Sequence, residues 1–197
     1  MNKHFDPHFQ KDIITIHPGE YLTSKEDIFI ATVLGSCISI ALYDQVNKFG
    51  GLNHFMLPKS NRLSPVSSED EGRFGDFAME LLINDMLKQG SRHEDLRAKV
   101  FGGSSVLETT NEQMNMTGIN NINFALSYLE EEKIPVLVND TGGIFPRKIY
   151  FNPLTNKVYL KRIQKTGNAI EAITKRDESY QTSLQESKKS AGDITWF

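Results

Sequence analysis

Cysteine is almost absent from this chain: Cys37 is the only one among 197 residues, which excludes an internal disulfide and any cysteine-based metal cluster. No stretch approaches the roughly 18 uninterrupted apolar residues of a membrane span, so membrane insertion is not expected. No charge of one sign dominates. The formal net charge of -3 gives no electrostatic reason to expect nucleic acid or an anionic lipid surface as partner. Met1 to Gln10 lacks the basic segment and apolar run of a secretory signal, and a cytoplasmic location is expected. Besides His54, the histidines are His4, His8, His17 and His93, in polar or terminal contexts without metal-motif spacing. Neither a metal nor an organic cofactor is expected.

What is present is an ordinary packed-domain composition, 39% hydrophobic and 24% charged, in a chain long enough for one core and a tail. Residues 12–163 alternate apolar runs with Gly, Pro and Asn punctuation and read as one domain. Residues 164–197 form a polar extension rich in Lys, Glu, Ser, Thr and Gln, either a solvated helix or disordered. It closes on Trp196-Phe197, which reads equally as a docking motif or as a tail folded back on its own domain.

Within the domain, Ile28 to Leu34 and Cys37 to Tyr43 are β-branched, apolar strands separated by Gly35-Ser36. Asp44 to Gly51 reads as a turn, Leu52 to Leu57 as a short strand ended by Pro58, and Asn61 to Glu71 as a polar loop. Arg73 to Gly90 carries Phe74, Phe77, Ala78, Leu81, Leu82, Asp85 and Met86 at helical spacing, with Gly90 as the stop. A second amphipathic helix, Asn115 to Lys133, aligns Ile122, Ala125, Leu126 and Leu129. Further strands are expected at Ala98 to Phe101 and Ile134 to Val138, with a turn at Thr141-Gly142-Gly143. Lys148 to Phe151 and Lys157 to Arg162 form a hairpin. Strands and helices mix without a βαβ repeat, which predicts an α+β layered domain of mixed sheets flanked by helices.

A lone cysteine is either a small core residue or a nucleophile. The break Leu34-Gly35-Ser36-Cys37 would present a thiol at a strand end, where backbone N–H groups favour thiolate and can hold an oxyanion. As a bare pattern it does not decide between the two. His54, in Gly51-Leu52-Asn53-His54-Phe55-Met56-Leu57-Pro58, lies inside an apolar strand, where an imidazole must be hydrogen-bonded or functional. A strand starting so soon after that of Cys37 can pair beside it. Lys99-Val100-Phe101-Gly102-Gly103-Ser104-Ser105 lacks the ending of a P-loop and reads as a glycine turn beside a cleft. Gly102, Gly103 and Asn53 are the substrate-loop candidates. Asp140-Thr141-Gly142-Gly143 is a second such turn.

Taken in order, Leu34-Gly35-Ser36-Cys37, Gly51 to Pro58, Arg73-Phe74-Gly75-Asp76, Ala98 to Gly103 and Asp140-Thr141-Gly142-Gly143 through Arg147-Lys148 resemble the CheD family of chemoreceptor glutamine deamidases. The resemblance spans roughly His17 to Ile163. It implies a fold shared with the deamidating domain of cytotoxic necrotizing factor toxins, with Cys37 near the surface as nucleophile and His54 as general base. It implies methyl-accepting chemotaxis receptors as substrates, methylesterase activity in some members, and the phosphatase CheC as a partner. A hydroxyl six residues before the cysteine, the family's third catalytic position, is replaced here by Ala31; Thr32 stands one place later. Because adjacent strand residues face opposite sides, Thr32 reaches the site only if the strand bulges; otherwise a carbonyl or water orients His54. Thr117-Gly118-Ile119-Asn120-Asn121 lacks the arginine of the usual Ile-Gly-x-Arg-Asn, and Ile144-Phe145-Pro146 stands where a glycine usually precedes Arg147. Thr32 and Ser36 are thus candidates for orienting or oxyanion roles. The expected activity is hydrolytic deamidation through a glutamyl thioester. The alternatives are a CheD-like regulatory binding protein with weak or no catalysis, and a deamidase of other proteins.

Overall fold

The strand from Ile38 to Asp44 is buried at every position, which requires a layer on each side of it, and this is how the chain folds. The computed structural model describes residues 1–56, 74–105, 112–164 and 175. Its strands are β1 (Asn2–Asp6), β2 (Lys11–Thr15), β3 (Tyr21–Ser24), β4 (Phe29–Leu34), β5 (Ile38–Asp44), β6 (Phe49–Asn53), β7 (Leu96–Gly102), β8 (Val136–Thr141), β9 (Arg147–Asn152) and β10 (Lys157–Arg162). Helix α1 (Gly75–Lys88) lies between β6 and β7, and α2 (Glu112–Glu131) between β7 and β8.

One sheet has the order β1-β2-β4-β9-β10, the other β3-β6-β5-β7-β8, and each contains one parallel pair. The helices cover the second sheet, α1 over β3 and β6, α2 over β5 and β7. The result is a sheet–sheet–helix sandwich, the α+β architecture expected from the pattern. Two cores follow from strand alternation. Ile38, Ile40 and Leu42 of β5 join Met79, Leu82, Ala125 and Leu129 under the helices. Ala41 and Tyr43, with Cys37 just ahead of β5, face the other way and join Ile30, Leu34, Ile149 and Phe151 between the sheets. A third, smaller cluster on the outer face of the first sheet holds Ile13, Phe29 and Ala31, covered by Phe9 and Tyr150.

The two helices, the β9–β10 hairpin and the Gly90 stop fall where the apolar spacing puts them, Gly90 at a φ of 103°. Several strand expectations need correction, among them Ile134 to Val138, which is displaced to Val136–Thr141. The turn after β5 is shorter than Asp44 to Gly51. The Asp44 carboxylate caps it by accepting from Val46 and Asn47 N–H, both at 2.8 Å, and β6 begins at Phe49. Gly50 belongs to that strand because a Cβ there would lie 2.5 Å from Leu42 O and 2.8 Å from the Phe151 ring. The strand expected to run on to Leu57 instead ends at Asn53, leaving Phe55 in an isolated bridge to Ile38. β1, β2 and β3 were not expected: the mostly polar, exposed residues of β1 carry no alternation, yet all five pair with Lys11 to Thr15 of β2. Leu57, Pro58, the loop Asn61 to Glu71, Arg73 and the tail with Trp196-Phe197 lie outside the described residues. Among the described residues no helix is long and apolar enough to cross a membrane.

Candidate active site

The link Gly35-Ser36 carries the chain from β4 in one sheet to β5 in the other, so Cys37 enters the second sheet at the seam between layers. All three carbonyls of this turn are engaged. Gly35 O accepts from Ser104 N–H at 2.8 Å and Ser104 Oγ at 3.0 Å. Ser36 O accepts from Asn121 Nδ2 at 3.0 Å, and Cys37 O from Gly103 N–H at 2.8 Å. A turn with every acceptor satisfied inside the protein is held in one conformation. Gly102 makes this possible: its φ is 116°, and a Cβ there would sit 2.1 Å from Cys37 O.

His54 follows the end of β6, and its backbone pairs away from β5: its N–H donates to Glu20 O at 3.0 Å and its carbonyl accepts from Gly19 N–H at 2.8 Å. The next residue returns to β5, where Ile38 and Phe55 exchange two N–H···O bonds of 3.0 Å. Neighbours in a strand point to opposite faces, so Cys37 and His54, flanking that bridge, share the face opposite Ile38 and Phe55. They occupy diagonal cross-strand positions, a separation that a long side chain such as imidazole spans.

Thr32 completes the cluster from the other sheet. Its hydroxyl donates to Ile16 O at 2.9 Å and lies 2.7 Å from His54 Nδ1. A hydroxyl has one hydrogen. Once that hydrogen goes to Ile16 O, the 2.7 Å contact requires Nδ1 to carry the imidazole proton and Oγ1 to accept it. The neutral ring then has its basic lone pair on Nε2. This overturns the expectation that Thr32 needs a bulge. The β4–β9 ladder runs unbroken from Ile30↔Phe151 to Leu34↔Arg147, and Thr32 points inward with Ile30 and Leu34. Ala31 points outward to the Phe9–Tyr150 cluster, so the missing hydroxyl there leaves the site untouched.

Three other candidates take a different place. Gly102 and Gly103 are buried beneath Cys37, and what approaches them is the protein itself: the Cys37 carbonyl at Gly102, the Ile122 side chain and Gly118 of α2 at Gly103. Asn53 is fully buried, not on a substrate loop. Its Oδ1 accepts from Ile40 N–H at 2.8 Å and its Nδ2 donates to Ala78 O at 3.2 Å, splicing the β5–β6 ladder where it opens beside His54. Cys37 is 1% exposed, so the thiol is buried rather than at the surface, with half-buried Ser36 and exposed Ser105 closer to solvent.

The Asp140–Phe145 loop abuts this corner, Gly142 N–H donating to Gly102 O at 2.9 Å and Ser105 N–H to Gly143 O at 2.8 Å. Buried Arg147 organises the loop, pairing with Asp140 Oδ1 at 2.7 Å and donating to the carbonyls of Asp140 and Gly142. Burial pushes its guanidinium below the ordinary value and Asp140 opposes the shift; it stays cationic. Asn139 to Phe145, with Arg147 and Arg162, line a polar cavity of about 250 Å³.

Asn121 is the residue that sequence reasoning passed over except as part of a variant motif. Its Nδ2 donates to Ser36 O at 3.0 Å and Met56 O at 2.9 Å. The signal was available: Asn121 precedes Ala125 and Leu129 at four-residue steps, a polar side chain on the buried stripe of a helix. Among the described residues no group of three His, Cys, Asp or Glu side chains could hold a metal ion.

Residues 56–162 match the family described as CheD chemotactic sensory transduction. That span begins just past His54, but curated relatives align over Cys37 and His54 as well. A "Probable chemoreceptor glutamine deamidase CheD 1" of Shewanella oneidensis is 43% identical over 196 residues, covering 100% of this chain and 93% of its own. A "Probable chemoreceptor glutamine deamidase CheD" of Methylobacillus flagellatus is 42% identical over 203 residues, covering 100% and 95%. One from Albidiferax ferrireducens is 47% identical over 173 residues, covering 87% and 70%.

Proposed function

The chain belongs to the CheD family, and on that premise we propose that it is a cysteine amidohydrolase converting glutamine side chains of chemoreceptors to glutamate. The observation that carries the mechanism is the 2.7 Å contact between Thr32 and His54 Nδ1, with the hydroxyl proton committed to Ile16. It leaves His54 Nε2 as the base for Cys37, whose segment lies beside it across the Ile38–Phe55 bridge.

Nε2 takes the Sγ proton, and the thiolate bonds to the carboxamide carbon as the C=O electrons move to oxygen. Backbone N–H groups at Ser36 and Cys37 stabilise that oxyanion. Its collapse breaks the C–N bond while the imidazolium protonates the departing ammonia, leaving a glutamyl thioester. A water then gives its proton to Nε2 and its oxygen to the carbonyl carbon, and the thiolate leaves and is reprotonated. One water is consumed and one ammonia released, with no redox partner. Thr32 accepts the Nδ1–H throughout and so favours the same ring orientation in the neutral and protonated states. The reaction takes place at the cytoplasmic part of the receptor, and the phosphatase CheC is a second partner on the strength of the family resemblance.

The 1% exposure of Cys37 favours a second reading, a regulatory protein that binds receptors or CheC with weak or no catalysis. One assay separates them. A receptor fragment incubated with the protein gains the mass of amide-to-acid conversion at defined glutamines and releases ammonia; a Cys37→Ala protein that produced the same gain would sink the nucleophile assignment. Receptor binding without ammonia release selects the regulatory reading.

A further inference from the structure

The two strands that carry the dyad are tied together poorly by their own ladder. β5 and β6 pair regularly from Asp44↔Phe49 to Ala41↔Leu52. Beyond that, Ile40 N–H donates to the Asn53 side chain rather than to a backbone carbonyl, and Ser39 Oγ donates to Asn53 O. One further bridge, Ile38↔Phe55, resumes the same register. Past it the strands would end in an open fork, with Cys37 and Ser36 on one arm and Met56 on the other. The Asn121 amide sits across that fork, its Nδ2 donating to Ser36 O at 3.0 Å and to Met56 O at 2.9 Å.

We infer that Asn121 is a positioning residue that sets the separation of Cys37 from His54; this rests on the dyad reading above. Three observations bear on it. Asn121 is fully buried on the inner stripe of α2, where an apolar residue would pack without the cost of desolvating an amide. Its Oδ1 has no partner among the described residues, so the side chain accepts an unpaired acceptor in order to keep its donor group in place. And its two acceptors are the carbonyl preceding the nucleophile and that of the second residue after the base, on different strands. The helix itself is seated against the same corner, Gly118 and Ile122 closing on Gly103, whose N–H holds Cys37 O. The amide therefore has a rigid mount, and it reaches both arms of the fork.

Asn121→Asp is the sharp test, because it keeps the shape and replaces two donors by a carboxylate facing two carbonyl oxygens. Asn121→Ala removes the clamp without repulsion, and Asn120→Ala, exposed on the same helix, is the control. Three quantities are read for each protein: folded fraction, kcat and KM for receptor deamidation, and the pH midpoint of Cys37 alkylation by iodoacetamide. The lone cysteine makes the last unambiguous. Both Asn121 variants are expected to lose about 100-fold in kcat per folded molecule with KM within about threefold, the scale of an ångström-sized misplacement. The alkylation midpoint is expected to rise toward that of an ordinary thiol, about 8.5. A kcat within about threefold of wild type per folded molecule, with an unchanged alkylation midpoint, overturns the inference. So does loss of all folded protein in both variants, which would make Asn121 a determinant of the fold instead. If the wild type itself does not deamidate, the functional reading fails, and the alkylation midpoints still decide the clamp.

Discussion

Replacing Thr32 by valine exchanges one hydroxyl for a methyl of nearly the same size on a strand that favours both residues. The packing between the sheets is kept while two contacts disappear, the 2.9 Å bond to Ile16 O and the 2.7 Å acceptor for His54 Nδ1–H. Losing the first costs about 1 kcal/mol, and leaving the buried Nδ1–H without an acceptor about 1–3 kcal/mol more. A chain of this size loses roughly 2–4 °C in Tm per kcal/mol, so a fall of roughly 5–15 °C is expected by calorimetry. The kinetic effect is separable. Without an acceptor at Nδ1 the imidazole proton can shift to Nε2, which removes the base from the nitrogen that serves Cys37. Where a carboxylate holds the histidine of a serine protease, the wrong tautomer costs about 10⁴ in kcat. A neutral hydroxyl gives no charge stabilisation to the imidazolium, so the expected loss here is smaller, about 10–100-fold, or about 1.4–2.7 kcal/mol of barrier. Thr32→Ser keeps the oxygen and is expected to stay within about tenfold of wild type. Ammonia release from a receptor fragment gives the rates, and nitrogen NMR of His54 reports the tautomer. A Thr32→Val protein with kcat within about twofold of wild type would refute the assignment, as would recovery on adding Ala31→Thr, whose hydroxyl points away from the site.

Gly102→Ala places a methyl on Cys37 O at a φ of 116°; about 3 kcal/mol or more of stability should be lost, seen as a Tm drop of roughly 6–12 °C. A variant as stable as wild type would mean that the Gly102–Cys37 approach is not tight. Arg147→Met strands the Asp140 carboxylate with Arg162 alone and frees the 140–145 loop, for a loss of about 3 kcal/mol by urea titration. Equal midpoints in the two proteins would argue against an organising role for the guanidinium. Burial pushes the Asp44 carboxyl upward, but hydrogen bonds from Asn47 and Val46 outweigh it and hold the group below its ordinary value. A carboxyl lowered on folding stabilises fully above the ordinary aspartate value, about 3.9, and that share fades as pH falls through the folded-state value. Asp44→Ala should therefore flatten the acid limb of Tm against pH; an unchanged limb counts against the cap.

Much of this was legible in the chain because it depended on neighbours in sequence. The helices announced themselves by apolar spacing, whereas the glycine break ahead of the only cysteine and the histidine in an apolar stretch marked Cys37 and His54 as candidates without deciding their role. Thr32 was expected to reach His54 only through a bulge, and that condition was wrong for a definite reason. Phe29 to Leu34 is buried at every position but Val33, so alternation does not mark which face is inward, and counting back from the cysteine lands on Ala31. Only the outer Phe9–Tyr150 cluster settles the matter, and that is a long-range contact. β1 is invisible for the opposite reason, since a polar edge strand owes its existence to the neighbour it pairs with. Gly102, expected to admit a substrate, admits the Cys37 carbonyl instead, because a residue spared for close backbone approach looks the same in sequence whether the visitor is a ligand or the protein itself.

The seam on which Cys37 sits has one more consequence. His54 follows a strand of one sheet and Thr32 lies in a strand of the other, joined by a contact of 2.7 Å. With His54 as the base proposed above, turnover becomes a vernier on the gap between the two sheets. Trimming a methylene from Ile30 or Ile149, in the core between the sheets, should then slow the enzyme in proportion to how much the layers settle, which makes catalytic rate a probe of packing in this fold.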